Sequence, residues 1–310
     1  MSGTTQVSAT QKPGQPAATE SRRGLIYGIG AYTLWGVFPI YFRALFEVPP
    51  FTILCHRIVW SALLLTMVVS ARQEWRAIWP VLRSPRQMLL LSAGAVLIAL
   101  NWLIFIYAVA SRQVLQASLG YFINPLLSIA LGMIFLRERL RAWQWVAVSV
   151  AFAAVANQAF WGGELPWIAV SLAFTFGFYG LVRKKIDINS LHALLVESSL
   201  LVPLSIVALA LLPASQFSRM SWLLLSLSGI ITAVPLLLFG AAVRLLKLST
   251  VGFLQYVGPS LQFAVATVLF GEQIERAKLV SFSLCWIAIG IYVLDSVLRQ
   301  SSQVVADEPE

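Results

Sequence analysis

Charge is scarce in this chain. Asp, Glu, Lys and Arg make up 11% of its 310 residues, against roughly a quarter in an ordinary soluble domain. That is the composition of a membrane protein and excludes the ordinary soluble globular class. Histidine and cysteine are scarcer still, at two residues each. They form no metal-ligand spacing, so no metal site is expected. Both cysteines, Cys55 and Cys285, lie inside apolar runs in different halves of the chain, which argues against a structural disulfide. The sequence has no glycine-rich phosphate loop, no HExxH pair and no serine elbow. No cofactor is expected, and an enzyme acting on lipid would lack its acid/base or metal constellation. Energy for any uphill work must come from a gradient or from the substrate itself.

Apolar residues are abundant, at 59%. The net charge of +9 raises the possibility of a nucleic-acid partner, but the basic residues fall in short clusters between apolar runs and never line one polar face. The expected partner is the lipid bilayer. Residues 1–23, ending in Glu20-Ser21-Arg22-Arg23, are polar and carry no apolar core or cleavage site. They read as a disordered cytoplasmic tail, as do residues 298–310.

A spanning helix needs about 20 mostly apolar residues, because roughly 30 Å of hydrocarbon is crossed at about 1.5 Å per residue with every backbone group bonded internally. Ten segments qualify: 24–42, 51–71, 88–110, 114–136, 142–160, 165–182, 191–212, 222–243, 248–270 and 278–297. With the N-terminus in the cytoplasm, only Arg43, Arg112, Arg219, Arg276 and Lys278 lie outside, and Arg57 lies within a span. The remaining Lys and Arg are inside, so the positive-inside rule makes both termini cytoplasmic.

A shift of 134 residues aligns 89–154 with 223–288 without a gap. "LLLS" at 89–92 meets "LLLS" at 223–226, Phe105 meets Phe239, Pro125 meets Pro259 and Glu138 meets Glu272. "AYT" at 31–33 matches "AFT" at 173–175 at a slightly different shift. The chain therefore divides into five-span repeats over 24–160 and 161–297. Five is odd, so the second repeat enters the membrane inverted. The end of the fourth span carries "RERLR", while its repeat partner, facing outward, reads "GEQIE". These arginines are topology signals first. Inverted repeats create a pseudo-two-fold axis in the membrane plane, which lets two half-structures open alternately to each side. The expected fold is an all-α membrane protein of ten helices in two inverted five-helix repeats.

The chain resembles the drug/metabolite transporter superfamily with its paired EamA repeats, and within it the RarD branch, over about residues 24–297. The stretches that carry the resemblance are "WGVFPIYF" (35–42), "HRIVWS" (56–61), "NWLIFIYAV" (101–109), "ASLGYFINPL" (117–126), "RERL" (137–140), and "GFLQYVGPSLQF" with "GE" at 271–272. The resemblance implies ten helices, cytoplasmic termini, and export or exchange of small metabolites by a secondary mechanism.

Uncharged polar and aromatic residues cluster at similar depth. Tyr32 and Trp35 lie on the first span, Asn101 and Trp102 on the third, Tyr121 and Asn124 on the fourth, and Gln255 and Tyr256 on the ninth. Amides in hydrocarbon either glue helices together or face a wet cavity. As a set these residues suit a partly aromatic, weakly polar organic molecule better than a bare ion, since no acidic cage is present. Pro125 and Pro259 fall near midspan, where a missing backbone hydrogen bond makes either a static kink or a hinge. His56 and Arg57 lie near the outer end of the second span, and Glu197 near the inner end of the seventh. A direct Arg57–Glu197 ion pair is not implied, and the residues read as an outer and an inner polar gate. Glu197 is a candidate proton carrier, with structural pairing to a basic helix end such as Arg183 as the alternative. The expected function is secondary transport of a small organic metabolite or drug outward across the plasma membrane. A membrane scaffold or sensor is the competing class, but it would be expected to carry a sizeable soluble domain or interaction tail.

Overall fold

The computed structural model describes residues 15–136, 142–161, 166–186, 188–212, 217–245 and 254–306. Among these it is entirely helical. The order is α1 (Gln15–Ala44), α2 (Pro50–Ala71), α3 (Trp75–Leu82), α4 (Pro85–Ala110), α5 (Val114–Leu136), α6 (Ala142–Trp161), α7 (Trp167–Lys184), α8 (Ser190–Leu211), α9 (Arg219–Leu245), α10 (Val257–Ala264) and α11 (Arg276–Ala306). A π-helical turn, Val265–Leu269, prolongs α10. Among the described residues five helices are long and apolar enough to cross a membrane: α2, α4, and the segments Arg22–Ala44, Leu191–Leu211 and Arg219–Phe239 of α1, α8 and α9. Shorter apolar stretches occupy Trp145–Asn157, Trp167–Arg183 and Val257–Leu269.

Local signals set the helix ends. Ser84 caps α4, its Oγ accepting from Gln87 N at 3.4 Å, with Pro85 in the first turn. Asn189 caps α8 through Oδ1 and His192 N at 2.9 Å. The C-termini of α2 and α4 close in the same way. Glu74 N reaches Val69 O and Gln73 N reaches Ser70 O, while Gln113 N reaches Ala108 O and Arg112 N reaches Val109 O. This is the Schellman arrangement, which requires a left-handed residue. Gln73 and Arg112 supply it, each at φ 56° without being glycine.

Polar side chains join the helices. Asn157 donates to Ala277 O at 2.8 Å and Ser281 Oγ donates to Ala154 O at 2.8 Å, tying α6 to α11. Tyr41 donates to Leu224 O at 2.7 Å between α1 and α9. The principal packing partners are α1 with α9 and α10, α2 with α8 and α9, α4 with α7 and α8, α5 with α7 and α10, and α6 with α11. Small residues permit the closest crossings. A Cβ added at Gly120 would lie 2.6 Å from Ala169 O, and one at Gly229 would lie 2.5 Å from Trp60 O.

Four elements depart from the sequence pattern. Helix α1 begins at Gln15, inside the expected tail, because its polar start contains nothing that prevents a helix, and α11 runs on to Ala306. Helix α3 lies in a stretch too short to register as a span. Its Ile78 and Val81 are buried, while Trp75 and Trp79 stay exposed beside Arg76 and Arg83, the pattern of a helix lying at a membrane interface. Pro259 falls in the first turn of α10, where its missing N–H is no loss, while Pro125 lies within α5 without interrupting it. Residues 1–14, 137–141 with the "RERL" motif and Glu138, and 246–253 of the ninth span lie outside the described residues.

Glu272 has a role that the repeat did not foreshadow. Its Oε1 accepts from Val114 N at 2.8 Å and its Oε2 from Leu115 N at 2.9 Å, so it caps the first turn of α5 from the far half of the chain. Burial pushes its carboxyl above the usual range, and the two backbone donors pull the other way.

Candidate functional site

A cavity of about 1070 Å³ runs between the helices of both halves. In its lining Tyr32, Trp35 and Phe239 pack together, with ring centroids 5.3 to 6.0 Å apart. Phe105 and Tyr121 face each other at 5.8 Å. The repeat equivalences carry through to the lining. Trp102 and Leu236, Phe105 and Phe239, Tyr121 and Gln255, and Asn124 and Gly258 are each 134 residues apart, and all eight border the cavity.

Tyr32, Trp35, Asn101, Trp102, Tyr121, Asn124 and Gln255 line the cavity as a group. Tyr256 instead stacks on Phe122 at 6.4 Å and is not among the lining residues. Asn101 is mainly glue between helices. Its Nδ2 donates to Leu172 O at 3.0 Å and to Thr175 Oγ1 at 2.9 Å, and its Oδ1 accepts from the Tyr121 hydroxyl at 3.2 Å. Asn124 differs, since it is buried with no partner for Oδ1 among the described residues.

Arg57 lines one end of the cavity and is only 4% exposed. Its Nε donates to Thr232 Oγ1 at 2.8 Å, and its guanidinium lies over Trp102 at 4.1 Å, Phe42 at 5.6 Å and Phe38 at 5.7 Å. Phe42, against the guanidinium, is buried in one core cluster with Leu45, Ile53 and Val109. The other end reaches the exposed Arg72, then Glu74, Arg183 and Asn189, at the connections flanking α3 and leading into α8. His56 packs edge-on against Trp222 at 5.5 Å and does not border the cavity. Pro259 borders it.

Glu197 is fully buried behind the lining. Tyr179 donates to its Oε2 at 3.0 Å, and Arg183 Nη1 lies 3.9 Å from Oε1. Gly94 makes room for it, since a Cβ there would lie 2.7 Å from Oε1. Arg57 and Glu197 therefore have separate partners, as their expected heights require, and it is Arg183 that faces the carboxylate.

Several site residues escaped the sequence pattern. Thr232 is an ordinary apolar-helix threonine until the fold brings it to Arg57. Gln262 lines the cavity with its Nε2 on Trp35 O at 3.2 Å. It shares a face of α10 with Pro259, three positions before it, a signal that was present in the sequence. His192 Nε2 lies 2.6 Å from Glu74 Oε2, joining the α2–α3 connection to the start of α8 across 118 positions. The Schellman turn at α2 is what presents Glu74 there.

The EamA-like transporter family model matches residues 22–157. Protein RarD of Escherichia coli (strain K12) is 43% identical over 289 residues, covering 91% of this chain and 98% of that protein. The chain belongs to the EamA-like transporter family, in its RarD branch. A protein of Vibrio cholerae serotype O1 named "Uncharacterized transporter" is 42% identical over 288 residues, covering 91% of this chain and 95% of its own. A solved crystal structure shares the fold at a TM-score of 0.58 with 17% identity, covering 87% of this chain and 97% of that one. Membership in the EamA-like family makes the chain a multi-pass membrane transporter of the drug/metabolite type.

Proposed function

We propose that this protein is a secondary transporter of the plasma membrane, moving a small, partly aromatic organic molecule outward by alternating access, with ten spans and both termini in the cytoplasm. The observation that carries the reading is the cavity itself, bordered by four pairs of repeat-equivalent residues. A cavity on the pseudo-two-fold axis is where inverted repeats put a transported substrate. The helix pairing supports the same symmetry. Exchanging each span for its repeat partner turns the α1–α9 contact into α7–α4, α1–α10 into α7–α5, and α2–α9 into α8–α4. The α2–α8, α5–α10 and α6–α11 contacts map onto themselves. With Arg57 buried in its lining and the exposed Arg72 bordering it beside α3, we read the cavity as an inward-open state. The second state inverts it.

The volume is near the upper end for small-molecule sites, and the lining offers rings and a few amides. Both native cysteines are buried, so a cysteine-free background is attainable. In it, Ala241→Cys, at the α9 end of the lining, should react quickly with a membrane-impermeant thiol reagent from the cytoplasmic side. Ala233→Cys, next to Thr232 at the Arg57 end, should react slowly from the outer side and faster when outward-open molecules accumulate. Labelling of both positions from one side only, under every gradient applied, would contradict alternating access.

A further inference from the structure

We infer that the molecule carried in this cavity bears an anionic group of the carboxylate type, and that Arg57 binds it. The inference rests on the transporter reading and specifies the substrate class. Arg57 is a buried guanidinium with no carboxylate against it among the described residues. Among the described residues its Nε bond to Thr232 is its only hydrogen bond, and neither Nη group donates to any of them. The ionisable groups that act on it are the Tyr121 and Tyr41 phenols. Glu197, the acid read as the inner polar gate, is instead engaged by Arg183 and Tyr179.

An unpaired charge inside a membrane protein is expensive to keep and marks a substrate or ion pathway. Three aromatic faces offset part of that cost through cation–π contact. Together with the Thr232 bond they fix the plane of the guanidinium while leaving its Nη edge free. That edge is the fork that binds a carboxylate with two parallel hydrogen bonds. A structural arginine of this depth would be expected to hold an acidic or carbonyl partner of its own. The surrounding Phe38, Phe105 and Trp102 suit an apolar or aromatic body on the same molecule.

The test uses the full-length protein purified in detergent and its thermal unfolding with phenylacetate, benzoate and indoleacetate, each compared with its own primary amide. At least one acid should raise the unfolding temperature in a concentration-dependent way, with its amide about tenfold or more weaker. Arg57→Gln should remove the preference for the acid, and Arg57→Lys should keep part of it. If Arg57→Gln does not fold, Thr232→Val, which frees the guanidinium from its anchor, should weaken the acid and leave the amide unchanged. Amides that act as strongly as their acids, or an acid effect that survives Arg57→Gln, would overturn the anionic class while leaving the cavity an organic-substrate site. No response to any acid or amide in the folded protein would overturn the inference and count against the transporter reading as well.

Discussion

Arg183→Met is expected to destabilise the protein by about 3 kcal/mol, and adding Glu197→Gln to it should recover most of that loss. Glu197 is fully buried, and Arg183, at 16% side-chain exposure, is the one cation facing it among the described residues, at 3.9 Å. Removing Arg183 leaves a carboxylate that must either stay charged in low dielectric or take up a proton, and each alternative costs free energy. The Tyr179 hydroxyl, at 3.0 Å from Oε2, cannot replace a positive charge. Gln at position 197 keeps the volume that Gly94 leaves open and still accepts from Tyr179. A double-mutant cycle on unfolding in detergent measures the coupling. Additive effects, or an Arg183→Met variant as stable as wild type, would show that the pair contributes nothing. The cycle also addresses the proton-carrier expectation for Glu197. A side chain whose chief task is to hold Arg183 should tolerate Gln with flux retained, whereas a pH-gradient-driven flux lost in Glu197→Gln would assign it coupling.

Gly120→Leu should be at least as damaging. The α5–α7 crossing brings the Ala169 backbone to within 2.6 Å (O), 3.0 Å (Cα) and 3.2 Å (C) of where a Cβ would sit. Backbone cannot rotate aside as a side chain can, so the helices must separate, at a cost of about 3 kcal/mol or more for a branched side chain. Gly120→Ala should cost less, about 1 kcal/mol or more. The crossing joins the two halves one position before Tyr121 and one helical turn before Asn124, so the same shift would misplace the cavity lining. Thermal unfolding and the yield of monodisperse protein measure the effect. An unchanged unfolding temperature for Gly120→Leu would contradict the packing described.

How much of this was legible in the sequence depended on how local each signal was. Every expected span has a helix within it, because apolar runs and caps such as Ser84-Pro85 are properties of neighbouring residues. The cavity residues were legible as a group because amides and aromatics at similar depth stand out against an aliphatic background. Tyr256 failed to join them because depth along a helix does not specify which face a side chain occupies. Likewise His56 sits one position before Arg57 and points to a different neighbour. The partners of Arg57 and Glu272 come from helices far away in sequence, and no spacing rule could have supplied Thr232 or the first turn of α5, whereas Arg183 was legible as a basic helix end shortly before Glu197. Amphipathic α3 was hidden by its eight residues, too few to register in a search for spans.

The measurement closest to the central claim is flux into proteoliposomes of a labelled panel of small organic acids and their neutral analogues. It compares the Ala241→Cys protein, in the cysteine-free background, before and after a bulky maleimide fills the cavity. The account predicts saturable flux well above that of protein-free liposomes for at least one compound, abolished by the modification. Flux equal to that of protein-free liposomes across the panel, or flux indifferent to the filled cavity, would contradict it.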